Sequence, residues 1–193
     1  MNYYFKEYVD SRSLNICPSD ANELNHRYSI EIPFINRSSD NPVAYVVCKN
    51  PSKAGLIENN RVKSDKTANK LSKYFYERGY SKLVILNLAS VYATDLGTYS
   101  HASIRDLVNV RENNQELRKQ LSRFRPEIDT VAVGWGMKNK IKGSKVDYDQ
   151  RIDEVLEIIK CYTEKIHKYP SELSYPIHPA NSGGWNNEEL VLF

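Results

Sequence analysis

Apolar residues along the chain fall into short unbroken runs, and the polar stretches between them carry a helical period. V-A-Y-V-V-C (43–48), K-L-V-I-L-N-L (82–88) and D-T-V-A-V-G-W-G (129–136) are rich in β-branched residues and bounded by turn formers. That is the pattern of strands covered on both faces. Y-S-I-E-I-P-F-I (28–35) alternates instead, as a strand does. D-K-T-A-N-K-L-S-K-Y-F-Y-E-R-G predicts a helix capped by Ser64 or Asp65 and stopped at Gly79, with Ala68, Leu71 and Phe75 as its apolar stripe. E-N-N-Q-E-L-R-K-Q-L-S-R-F (112–124) predicts a second helix, ending before Pro126. Tyr148 to His167 predicts a third, with Ile152, Val155, Leu156 and Ile159 at i, i+3, i+4 and i+7. E-L-S-Y-P-I (172–177) reads as a last strand, and Asn50 to about Lys63 and 91–101 read as loops. Residues 1–27 are polar without a period and read as an N-terminal extension with room for one short helix; 28–193 form a single domain.

Covered strands alternating with helices predict an α/β fold, a three-layer α/β/α sandwich around a mostly parallel sheet. Its 193 residues suit one such core. In these sheets ligands bind outside the carboxyl ends of the strands. The residues that follow the strands are Asn50-Pro51-Ser52, Asn87, Trp135-Gly136 and His178-Pro179, and they are expected to converge on one crevice.

Composition narrows the chemistry. Three widely spaced cysteines, Cys17, Cys48 and Cys161, make no disulfide framework, and no Cys or His pair has zinc-ligand spacing. No metal or cofactor is expected. No apolar run approaches the roughly 20 residues of a membrane span, and no leader pattern opens the chain. A cytoplasmic, monomeric protein without a membrane partner is the simplest expectation. The net charge is +3, mild overall, but Lys138, Lys140, Lys142 and Lys145 crowd one loop, and Arg61, Lys63, Lys66 and Lys70 flank the first motif. Such clusters are either solvated surface or phosphate contacts.

The strand-end set has no Gly-x-Ser-x-Gly elbow, no phosphate loop and no carboxylate pair. An Asn can hold a water through its carbonyl oxygen. A second Asn can read the edge of a nucleobase, and a His can donate to a developing anion. Together they suit hydrolysis of an N-glycosidic bond. Each has a plainer reading. Asn-Pro after a strand is commonly a turn, Asn87 can be a satisfied buried amide, His178 can be structural, Trp135-Gly136 reads as packing, and Asp95 in A-T-D reads as a turn or cap.

In order and spacing these clusters resemble the uracil-DNA glycosylase superfamily. C-K-N-P-S resembles its first motif, G-Q-D-P-Y in one branch and G-I-N-P-G in the mismatch-specific branch. L-V-I-L-N-L-A resembles the L-L-L-N-A strand, V-A-V-G-W-G-M-K-N-K-I-K-G-S the strand and basic loop that follow, and H-P-A-N-S-G the loop that enters DNA. K-T-A-N-K-L-S-K-Y-F-Y-E-R-G-Y resembles the first helix of the mismatch-specific branch. The run N-P-S-K-A … D-K-T … V-I-L-N-L-A … W-G … H-P also resembles an uncharacterised bacterial and phage domain family. The resemblance spans residues 28 to about 185.

It implies a glycosylase-like fold that flips a base from single- or double-stranded DNA and hydrolyses its glycosidic bond. Asn50 would position the water, Asn87 would read the base, and His178 would donate to the leaving base. Pro51, Ser52 and Leu71 would line the base pocket. Ala180, Asn181, Ser182 and Gly183 would fill the gap in the helix, and the lysine loop would hold phosphates. Ser52 stands where the uracil-specific branch has a blocking tyrosine, Leu71 where an aromatic residue stacks on the base, and the wedge lacks a leucine, with Trp185 nearby. These departures favour a bulky modified pyrimidine, such as the glucosylated hydroxymethylcytosine of phage DNA, and a role in antiphage defence. A silent module that binds modified DNA and a hydrolase of free nucleosides or nucleotides are the alternatives.

Overall fold

The structure is a computed structural model and describes residues 3–58, 61–93, 107–137, 145–181 and 183–193. Its ten strands are β1 (Tyr3–Tyr4), β2 (Asn15–Cys17), β3 (Ser29–Pro33), β4 (Val43–Cys48), β5 (Ile57–Glu58), β6 (Arg61–Ser64), β7 (Lys82–Asn87), β8 (Thr130–Gly134), β9 (Ile166–Lys168) and β10 (Val191–Leu192). Its described helices are α1 (Ala21–Leu24), α2 (Lys66–Glu77), α3 (Val110–Leu121) and α4 (Lys145–Lys160).

Seven strands form the main sheet in the order β10-β9-β8-β4-β7-β3-β2. β4 pairs parallel with β7 and β8, and β8 with β9, while β2, β3 and β10 join antiparallel. The sheet is therefore mixed rather than mostly parallel. The chain enters beside β7 from the opposite direction before it crosses to the centre, and it returns along β9 at its end. The residues before 28 are built into this body: β2 is an edge strand, Val9 is buried, and β1 pairs with β6 in a small three-stranded sheet with β5. The loop expected between Asn50 and Lys63 thus contains a hairpin.

The two faces of the sheet carry separate cores. Ala44, Val46, Cys48, Leu83 and Ile85 meet Leu71 and Phe75 of α2 and Trp185 on one face. Tyr45, Val47, Val84, Leu86, Val131 and Val133 meet Leu117 and Leu121 of α3 and Val155 and Ile159 of α4 on the other. Alternation along each strand thus feeds both faces, and each fully buried aliphatic side chain contributes roughly 1.5–3 kcal/mol.

The boundaries of α2 follow from its ends. Extended Asp65 caps it through Oδ1, which accepts from Ala68 N at 2.7 Å. At the other end Gly79 takes φ +82°, and Tyr80 N reaches back to Phe75 O at 3.1 Å while the Phe75 and Tyr80 rings meet at 4.9 Å. That is a glycine-terminated stop with its hydrophobic clasp. α4 differs from expectation: it ends at Lys160, and Ile166–Lys168 is the fourth parallel strand. Ile166 lies seven residues after Ile159, so it continues the helical period and hides the break. The stretch 172–177 is no strand, and Leu173 is exposed there. Among the described residues no helix is long and apolar enough to cross a membrane.

Candidate functional site

Register brings the strand ends to one level. Cys48 stands opposite Asn87 on one side and Gly134 on the other. The pairing continues past the strands, with Leu88 N donating to Cys48 O and Ala89 N to Lys49 O, both at 2.9 Å. A cavity of about 180 Å³ opens there, lined by Cys48, Asn50, Ser52, Asn87, His178 and Ala180 together with Arg27, Asp65, Lys66, Thr67, Ile85 and Ala93. Three of the four strand-end clusters expected to converge thus line it.

Asn50 is held by its amide nitrogen, which donates to Pro51 O at 2.9 Å and Ala93 O at 2.6 Å. Its Oδ1 is the atom left to accept. Ala93 N in turn donates to Pro51 O at 3.1 Å, so the loops after β4 and β7 are stitched together around this side chain. Asn87 is fully buried. Its Nδ2 makes long bonds of 3.4 Å to the carbonyls of Arg27 and Tyr28, and its Oδ1 has no partner among the described residues. A buried acceptor left unpaired costs roughly 1–3 kcal/mol, and a donor from a ligand would relieve it.

His178 accepts at Nδ1 from Ala180 N at 3.1 Å. With Nδ1 accepting, a ring proton is carried on Nε2. The loop carrying His178 is seated by two glycines. A Cβ on Gly134 would stand 3.2 Å from Pro179 and from Trp185, and one on Gly136, at φ +76°, would stand 2.8 Å from the His178 Cβ. Gly136 N also donates to Pro176 O at 2.9 Å. The Gly-Trp-Gly turn is therefore packing, and its function is to let the histidine loop approach. Trp185 is buried at 1% exposure, donates from Nε1 to Ile177 O and packs on Tyr74, Phe75 and Tyr169. It anchors the loop from below and is not an exposed wedge. Lys70 Nζ ties the same loop to α2 through Asn181 O at 2.7 Å, and burial with the Lys66 charge lowers the Lys70 ammonium.

Three further groups form the wall; Arg27 escaped the sequence reading, and Lys66 was read only as a flanking phosphate contact. Asp65, read only as a cap, also accepts at Oδ2 from Ser52 Oγ and Ala54 N, both at 3.1 Å. Both oxygens are engaged, so its carboxylate organises the Asn-Pro-Ser loop. Lys66 follows it at the start of α2. Arg27, in a stretch without a pattern, is 2% exposed. No local signal marks any of the three as cavity-lining. Cys48 also faces the cavity, where burial pushes its thiol up to about 12, so it stays neutral and unreactive.

Leu71 does not line the cavity. It is fully buried in the core beneath α2, because only the first turn of that helix faces the crevice. Pro51 is buried beside the cavity wall without lining it. Asn181 and Gly183 lie exposed in the loop beyond Ala180, and Lys145 opens α4. Lys138, Lys140, Lys142, Ser182 and Asp95 lie outside the described residues. Among the described residues no cluster of His, Cys, Asp and Glu could hold a metal ion.

Residues 27–180 match the family described as "Protein of unknown function (DUF1643)". No curated protein and no solved structure matches the chain.

Proposed function

The chain belongs to the DUF1643 family; on that premise, and from the site itself, we propose that it is a monofunctional DNA N-glycosylase of uracil-DNA-glycosylase-like, three-layer α/β/α build. It removes a flipped, modified pyrimidine and leaves an abasic site. The observation that carries this reading is the division of roles around one cavity. Among the described residues Asn50 keeps an unspent acceptor for water and buried Asn87 one for a base donor, and His178 brings its imidazole into the same wall, where it would serve the leaving base.

In the reaction the bond from C1′ to the base nitrogen breaks, and its electron pair leaves on the base. Water held at Asn50 adds to the cationic sugar and gives its proton to solvent. An amide is a poor base, so positioning and charge stabilisation carry the rate. The cavity's size favours a single ring: a cavity of about 150 Å³ accommodates benzene. A sugar carried on such a base would have to project past small Ser52. The setting we propose is cytoplasmic, on phage DNA carrying such bases.

Base release from duplexes and single strands carrying uracil, mismatched thymine, hydroxymethylcytosine or its glucosylated form tests this. Abasic sites are read by alkaline cleavage. One substrate should be cleaved, and Asn50→Ala and His178→Ala should each lower single-turnover release about 100-fold or more. Borohydride should trap no covalent adduct; a trapped adduct lost in Lys66→Ala would make Lys66 a Schiff-base nucleophile. Absence of release with salt-sensitive DNA binding would turn the reading to a binding module.

A further inference from the structure

The cavity contains a charge that the reaction above does not use. The Arg27 guanidinium, always protonated, lies in the cavity wall at 2% exposure. Its Nη1 donates to Ala54 O and its face lies 5.6 Å from the Tyr92 ring, while Nε has no hydrogen-bond partner among the described residues. Among the described residues it contacts no carboxylate. Asp65, the carboxylate in the same wall, spends its oxygens on Ser52, Ala54 and Ala68. Isolated buried charges are costly and are normally paired.

Beside this unpaired cation stands the orphaned acceptor of Asn87. The two together describe a ligand: negative on one edge, an N–H donor on another, and about one ring in size. We infer that the cavity binds a six-membered heterocyclic anion, the departing pyrimidine base, with Arg27 as its counter-charge. This rests on the glycosylase reading and adds a residue to it. When the glycosidic bond breaks, the electron pair left on the ring nitrogen spreads onto the adjacent exocyclic carbonyl oxygen, and the guanidinium stabilises it there. The base then takes up a proton on release. Leaving-group stabilisation of this kind offsets the lost basicity of Asn50, since one well-placed donor is worth about 10²–10³ in rate.

The test uses the whole protein and free bases. 5-Nitrouracil, which ionises near neutral pH, and uracil, which stays neutral there, are titrated calorimetrically between pH 5 and 8. Affinity for the acidic ligand should rise towards the limit of about tenfold per pH unit below its pKa, and affinity for uracil should stay flat. Asp65, Lys66, His178 and Cys48 face the same cavity and Tyr92 lies against Arg27; the uracil arm shows any pH effect that does not depend on ligand charge. Arg27→Met should remove the rise and keep uracil-level binding, whereas Lys66→Met and His178→Ala should each keep the rise; if the Arg27 variant does not fold, a rise that survives both other variants still assigns it to Arg27, and a rise lost in either overturns the inference. Equal pH courses for the two ligands, or binding of neither, would overturn the inference. Anion preference without base release would leave Arg27's role standing and sink the glycosylase. Base release without anion preference would do the reverse.

Discussion

The nitrogen of Asn50 is spent on two carbonyls, so the chemistry open to this side chain is that of its oxygen. That arrangement makes a sign prediction. Asn50→Asp supplies a better base, yet a carboxylate has no donor and would set negative charge within 2.6–2.9 Å of the oxygens of Pro51 and Ala93. The side chain would turn away, and base release should fall at least about tenfold, since a displacement of about 1 Å can cost 10²-fold. Single-turnover rates settle it; a faster variant would mean that the enzyme is limited by basicity. At this scale the residue types at the strand ends were legible in the sequence. Which atom of each remained free was not, because that depends on carbonyls as distant in the chain as residue 93.

Among the elements, β4, β7 and β8 were readable because a strand covered on both faces needs an unbroken apolar run. α2 was readable because Asp65 and Gly79 mark its ends. β9 was not, since Ile166 falls in phase with the preceding helix, and neither glycine nor proline separates them. The β5–β6 hairpin was hidden by its shortness and by its partner β1 more than fifty residues away in the sequence. The turn after β8 couples these elements to the site. Gly136→Ala would place a Cβ 2.8 Å from that of His178 on a backbone at φ +76°. We expect the histidine loop to shift, with base release reduced about 100-fold. The far-ultraviolet circular dichroism should be unchanged. Full activity would show that the loop adapts.

For the molecule as a whole, a buried polar network joins the sheet to α3. Glu31 in β3 takes hydrogen bonds from Asn15 at 2.9 Å, Lys82 at 2.6 Å, Gln120 at 3.1 Å and Arg123 at 3.3 Å. Burial pushes its carboxyl up, but the Lys82 and Gln120 hydrogen bonds, the Lys82 charge and Asn15 outweigh it and hold the group down at about 2. A depressed carboxylate stabilises the fold above its unfolded value, near 4.3 for a glutamate, and that contribution is lost as pH falls towards 2. Glu31→Gln should therefore lower the denaturation midpoint at pH 7, and its stability should fall less than the wild type's between pH 5 and 2. Parallel pH courses for the two proteins would show that Glu31 is not linked to folding.

The sequence by itself determined the covered strands, the ends of α2 and the two Asn at the strand ends, because these follow from local periodicity and capping; it marked His178 as a candidate, although no strand precedes it. Tertiary structure alone decided that Arg27, Asp65, Lys66 and Ala93 share their cavity, that Leu71 and Trp185 belong to the core, and that the N-terminal strands complete the sheet. The reason is physical. A local pattern fixes which face of an element is apolar. A buried charge or an unspent oxygen acquires its meaning from neighbours that only the folded chain brings within reach.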